Sequence, residues 1–197
     1  MKMKSIALGI ATALVSASVA VAAQQGAAAK KLLVNSPPSG NKTVIYLSKN
    51  TTGTVVGDPT VSGATFTVTL TPGGTQCATL PASGWTATPV GFKYKDPQLE
   101  NGPVKVALIK QTPSGNFLLK VIEKSAAITV APGNPTATYG TSFEINGGDE
   151  YCASTGTATP KKNDEKKFLV NKDTGTACTT TCGGSPSGAF LDAAVGF

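Results

Sequence analysis

Hydrophobic and polar residues alternate with period two along much of this chain, most cleanly over residues 64–71, where Ala64, Phe66, Val68 and Leu70 take turns with four threonines. A strand sends successive side chains to opposite faces, so this run predicts one buried and one solvated face of an antiparallel sheet. Thr and Val are stiff about χ1 and suit a pleated surface, and Gly63 and Pro72-Gly73-Gly74 supply turns at the two ends. The same signal marks residues 30–34 and 43–49, with Val55 and Val56 pairing briefly in the loop that follows. In 91–96, Phe92 and Tyr94 should point one way and Lys93 and Lys95 the other. In 104–109, Val104, Val106 and Leu108 form one face against Lys105, Ala107 and Ile109. A Pro113-Ser114-Gly115-Asn116 turn joins that run to 117–123 as a hairpin. Further strands are expected at 126–130, 142–145, around Tyr151-Cys152, and at 168–170. The mixed charges of 161–167 read as a solvated turn.

Composition supports the same class. At 197 residues, 40% of them hydrophobic, the chain is long enough for one sizeable core. Twenty-two glycines and 13 prolines are spread along it, as many short strands joined by turns require. The expected fold is all-β: an antiparallel β-sandwich, immunoglobulin-like or jelly-roll-like, with disulfides.

The first residues, Met1-Lys2-Met3-Lys4, are followed by an apolar run and by small residues around Ala20-Val21-Ala22-Ala23. A basic start, an apolar centre and a small-residue end are the parts of a secretory signal, expected over 1–23. A cut after Ala22 or Ala23 leaves a mature chain starting near Gln24. A flexible lead-in (24–29), a sandwich domain (30–182) and a flexible tail (183–197) should follow, with no transmembrane segment once the signal is gone. The tail ends in apolar residues 189–197, which pack on the sandwich or are donated to a neighbouring subunit's sheet edge.

Every basic residue is a lysine; of 17, two lie in the leader, and the remaining fifteen against eleven acidic side chains leave a net charge of +4. Without arginine forks or aromatic platforms beside the basic residues, nucleic acid is not an expected partner. A lysine-mediated attraction to anionic polysaccharide or a cell surface remains open.

Four cysteines, Cys77, Cys152, Cys178 and Cys182, on an exported chain point to two disulfides, in any of three pairings. With no histidine and no paired short spacing, they make a poor zinc site, and haem attachment lacks both its C-x-x-C-H motif and an axial histidine. A histidine-based nucleophile is excluded outright. Ser39-Gly40-Asn41-Lys42 has the S-x-x-K spacing of penicillin-recognising enzymes, but Pro37, Pro38 and Gly40 argue against the helix that spacing needs. Asp149 and Glu150 could ligate calcium from a loop, although neighbours on a strand diverge. The single Trp85 is a core plug or, less commonly, an exposed stacking platform.

Several phrases occur in a characteristic order: Lys31-Leu32-Leu33-Val34, Leu47-Ser48-Lys49, residues 58–64, Leu80-Pro81-Ala82-Ser83-Gly84-Trp85, Tyr94-Lys95-Asp96, Gly102-Pro103-Val104-Lys105, Leu119-Lys120-Val121, Tyr151-Cys152 and residues 167–172. Together they resemble a functionally uncharacterised β-rich module of secreted proteins of myxobacteria and other environmental proteobacteria. The resemblance brings no catalytic residue. It implies a bond between Cys152 and Cys178, which leaves Cys77 with Cys182.

The expectation is therefore a secreted or periplasmic, surface-associated structural or interaction module without catalytic residues, cofactor or metal. Its partner would be a protein or polysaccharide at the outer cell surface, or a second copy through the C-terminal segment. The alternative is a carbohydrate-binding module that stacks sugars on Trp85, Tyr94 or Tyr139.

Overall fold

The alternating runs become strands in the computed structural model of the chain, which describes residues 22–38, 40–180 and 182. In chain order they are β1 (Gln24–Gly26), β2 (Ala29–Asn35), β3 (Lys42–Asn50), β4 (Ala64–Thr71), β5 (Gly74–Leu80), β6 (Trp85–Thr88), β7 (Gly91–Lys95), β8 (Val104–Gln111), β9 (Phe117–Ser125), β10 (Thr138–Ile145), β11 (Glu150–Ser154), β12 (Lys162–Asp164) and β13 (Lys167–Asn171). One helical turn, α1 (Pro59–Ser62), is capped by Asp58, whose carboxylate accepts the Thr60 N–H at 2.8 Å.

Two sheets face each other. One has five strands in the order β1-β11-β10-β4-β5, and the other has eight in the order β12-β13-β2-β3-β9-β8-β7-β6. Every pairing is antiparallel except that of β1 with β11. Between the sheets lie the inward residues of each strand, among them Leu32, Val34, Val44, Phe66, Val68, Leu119, Val121 and Phe143, all fully buried. Aromatic side chains bridge the layers: Tyr46 stacks on Phe66 at 5.9 Å and Phe117 on Tyr151 at 5.0 Å. The fold is the β-sandwich that the period-two pattern implies.

Four local expectations are corrected. In β8 a bulge between Val104 and Val106 inserts one residue and reverses the parity that follows. Val104 stays buried, but Ala107 and Ile109 then face the core, and Val106 and Leu108 turn outward. Residues 126–130 are not a strand: Ile128 and Val130 are buried, yet the backbone between them is held by side chains, the Thr129 N–H donating to Gln76 Oε1 at 2.7 Å. Val55 and Val56 likewise form no strand. The segment 24–29, expected as a lead-in ahead of the sandwich, contributes strands to it: β1 adds to the edge of β11, and Ala29 already opens β2. The tail 183–197, including the apolar segment 189–197, lies outside the described residues.

Candidate functional site

The three aromatic residues read as possible sugar platforms are in the core. Trp85 is 6% exposed, Tyr94 1% and Tyr139 4%. Trp85 opens β6 with its ring tilted against Tyr94 at 5.4 Å and edge-on to Phe143 at 6.2 Å, and its indole N–H donates to the Leu80 carbonyl at 3.3 Å. Tyr139 donates its hydroxyl to Asp173 at 2.9 Å. A satisfied Trp N–H and an inward strand position leave no ring face for a ligand, so the stacking role is withdrawn.

The acidic candidates hold loops. Asp149, fully buried, accepts hydrogen bonds on Oδ1 from the Ala23 N–H at 3.0 Å and on Oδ2 from Gln25 Nε2 at 2.6 Å and the Val56 N–H at 2.8 Å. The Thr54 hydroxyl (3.4 Å) and the Tyr151 hydroxyl (3.2 Å) complete the set, the latter sharing its proton with the Thr54 carbonyl at 2.9 Å. Burial first, and then the Asp149 charge, pushes the Tyr151 hydroxyl up in pKa. Glu150 is engaged separately, by Ser142 Oγ at 2.7 Å and Gln24 Nε2 at 2.8 Å. The two carboxylates diverge and are met by hydrogen-bond donors, which is the opposite of a cation cage. Asp173 has the same anchoring role. Burial alone would raise its pKa, but the N–H groups of Ala158, Gly156 and Thr174 and the Tyr139 hydroxyl outweigh that and hold it below the ordinary value.

Lys42 spends its ammonium on the Ile128 carbonyl at 2.8 Å, and Ser39 lies outside the described residues. One open groove of about 300 Å³, between the β6–β7 turn and the loop after β3, is lined by residues such as Val55, Val90, Phe92 and Gln111 and holds no titratable side chain.

The cysteines form two bonds, Cys77 with Cys182 and Cys152 with Cys178, the pairs that the resemblance implies. They tie the segment after β13 across the outer face of the five-stranded sheet. Cys178 is bonded to β11, Thr180 lies against Gly140 of β10, Thr67 of β4 meets Cys182 at 2.7 Å, and Cys182 is bonded to β5. At one position the strap corrects the expectation that the threonine face of β4 stays in water: Thr67 is 3% exposed, while Thr65 and Thr69 are half-buried and Thr71 is exposed. Glu150 lies near Cys152 and Cys178, but oxidised sulfurs offer no thiolate to a metal.

The outer face of the eight-stranded sheet carries no such cover among the described residues. Register places Leu169, Leu33, Ile45, Ile122 and Val106 side by side across β13, β2, β3, β9 and β8, an aliphatic row running across five strands. The next row alternates charge with hydrocarbon: Lys31, Leu47, Lys120, Leu108 and Lys93. Lys49, Lys110, Lys124 and Lys167 stand in the flanking rows, and Lys162 and Lys95 at the two ends of the aliphatic row. Nine of the 15 lysines past the leader are therefore on one face, together with one carboxylate, Asp164, at the far edge strand β12. Among the described residues, the remaining six lysines share the rest of the molecule with nine acidic side chains, one of which, Glu123, is buried in the core. Sequence reading does not find this face, because it needs both the strand order and the bulge that turns Val106 and Leu108 outward.

The pattern carries one further legible signal: Phe117, Leu119 and Val121 share the parity of Glu123. Glu123 is fully buried opposite Val44 and Val104, with both oxygens lacking a hydrogen-bond partner.

No protein-family model, curated protein or solved structure matches this chain.

Proposed function

We propose that the protein is a secreted, non-catalytic module that associates with an anionic lipid surface of the cell envelope through the outer face of its eight-stranded sheet. The observation that carries this reading is the concentration of nine lysines and one carboxylate around an aliphatic row, on a face about 25 Å across from β13 to β7. Lysines on such a face lay their stems along hydrocarbon and keep their ammonium groups at the rim. An anionic bilayer interface meets both features, since phosphates pair with the ammonium groups and the glycerol–acyl border meets the Leu and Ile side chains. A second copy of the same face would meet it with like charge, and a polysaccharide offers nothing to the aliphatic row. Two disulfides suit the oxidising compartment this requires. Among the described residues no helix is long and apolar enough to cross a membrane.

The test is co-sedimentation with vesicles of phosphatidylglycerol and phosphatidylcholine against phosphatidylcholine alone. Binding should require the anionic lipid and weaken as salt rises from about 0.05 to about 0.5 M. Each juxtamembrane lysine is worth about 1 kcal/mol, so replacing Lys31, Lys93 and Lys120 by Gln should lower partitioning roughly a hundredfold with the fold intact. Equal binding to neutral vesicles, or an unaffected triple variant, refutes the reading, as does binding to acidic polysaccharide with none to vesicles.

A further inference from the structure

Asp149 is a fully buried carboxylate, and every donor that reaches it among the described residues is uncharged: two backbone N–H groups, one amide and two hydroxyls. A buried anion without a positive partner is costly, and a site built around one with this many convergent donors is organised for negative charge. One of those donors is unlike the rest. The Ala23 N–H, 3.0 Å from Oδ1, is the one donor among the described residues on that oxygen, the other four meeting Oδ2, and Ala23 precedes β1 by one position. The Ala23 carbonyl in turn accepts the Glu150 N–H at 3.0 Å, so this residue is gripped at both backbone groups.

The small-residue end of the leader admits two cuts. Ala20-Val21-Ala22 has small residues in the pattern read by signal peptidases for cleavage after Ala22, and Val21-Ala22-Ala23 allows cleavage after Ala23. The two products differ in the structure. A chain beginning at Gln24 has lost both Ala23 bonds, to Asp149 and to Glu150. A chain beginning at Ala23 keeps both, and its nitrogen has become an ammonium at the one position that faces the buried carboxylate.

We propose that the leader is cut between Ala22 and Ala23 and that Asp149 is the receptor for the α-ammonium so created, locking β1 onto the edge of β11. The inference rests on the reading of the chain as an exported protein. The step is hydrolysis: the Ala22 carbonyl carbon gains the hydroxyl of water, the Ala23 nitrogen gains its proton and takes one more from solvent, and the amine is charged at neutral pH. The neutral N–H to carboxylate hydrogen bond is replaced by a charge-assisted one, the stronger class. Maturation and ordering of the N-terminal strand are thereby coupled, since a chain that keeps its leader has no positive charge to give Asp149.

The full chain, produced in an exporting bacterial host, is weighed intact after secretion. The expected mass is that of 23–197. A product starting at Gln24 or elsewhere overturns the inference and leaves the secretion reading standing, whereas a chain exported to no compartment and never cut overturns both. Independently, the 23–197 chain with a free amine is compared with the same chain acetylated at Ala23 and with one carrying Ala22 as an additional residue. The free Ala23 amine should raise the thermal midpoint by roughly 5 °C over both and slow amide exchange in Gln25 and Ala27. Asp149→Asn should remove most of that difference. If that variant fails to fold, the acetylated and extended chains still decide: equal midpoints and equal exchange in all three overturn the assignment.

Discussion

Glu123 gives the sharpest quantitative prediction. It occupies an inward position of β9 in line with Phe117, Leu119 and Val121, opposite Val44 on one side and Val104 on the other. Lys42, on the same side of β3 as Val44, gives its ammonium to the Ile128 carbonyl, so neither Glu123 oxygen has a partner. Burial alone therefore pushes the carboxyl from an ordinary 4.5 up to about 8. The folded protein holds a proton that the unfolded chain releases near 4.5. Stability from this group is fully present below that value and is lost as pH rises toward 8.

With one pKa unit equal to about 1.4 kcal/mol, the loss relative to acid is about 3 kcal/mol at pH 7 and approaches about 5 above pH 9. Glu123→Gln keeps the shape of the protonated acid and cannot ionise. Urea denaturation of both chains between pH 5 and pH 8 measures the effect. The wild type should fall by about 3 kcal/mol relative to the variant across that interval. The chain has no histidine, and groups common to both chains, the α-amine among them, cancel in the comparison. Parallel stability curves for the two chains would show that Glu123 is charged or water-bridged in the folded state and refute the argument.

The disulfides predict unequal losses. In the chain-entropy picture, removing Cys77–Cys182, which spans 105 residues, costs about 5 kcal/mol, and removing Cys152–Cys178, which spans 26, costs about 3.5 kcal/mol; alanine pairs and denaturation check this. Without the first bond, the Thr67 amide region should also gain exchange. Asp173→Asn should cost about 2 kcal/mol through weakened N–H and hydroxyl partners. Because the Asp173 pKa is depressed by folding, its stabilisation is present above the ordinary value of 3.8 and lost as pH falls below it, so the wild type and this variant should converge in acid. Gly140→Ala should destabilise by loosening the strap, since a Cβ there would overlap Thr180 Oγ1; melting curves and the reactivity of the Cys77–Cys182 bond toward reductant report it. Trp85 fluorescence should resist acrylamide quenching and ignore added polysaccharide, as its 6% exposure requires.

What the sequence shows and hides follows from the range of each interaction. The alternation of β4 and β13 is local, and both are strands as read. Parity in β8 fails at a single inserted residue, which nothing in Val104-Lys105-Val106 announces, because the bulge is set by pairing with β9. Residues 126–130 have the burial of a strand but meet the β5 edge through side chains, the Thr129 N–H donating to Gln76 Oε1 and the Thr129 hydroxyl to the Thr75 carbonyl. The two outer faces show the longest-range effect. Both are half polar in sequence, one in threonine and one in lysine, and only the fold separates their fates. The middle of the threonine face is covered by the chain's own segment after β13, held at two points by disulfides, and the Thr67 hydroxyl meets Cys182 there. The lysine face repels a cationic cover, and its aliphatic row lies among nine lysines. A sandwich that used disulfides to cover one sheet could have covered the other with uncharged residues as cheaply. That it concentrates its charge there, with acidic side chains in excess elsewhere, is the physical reason to look for its partner on that face and to expect the partner to be anionic.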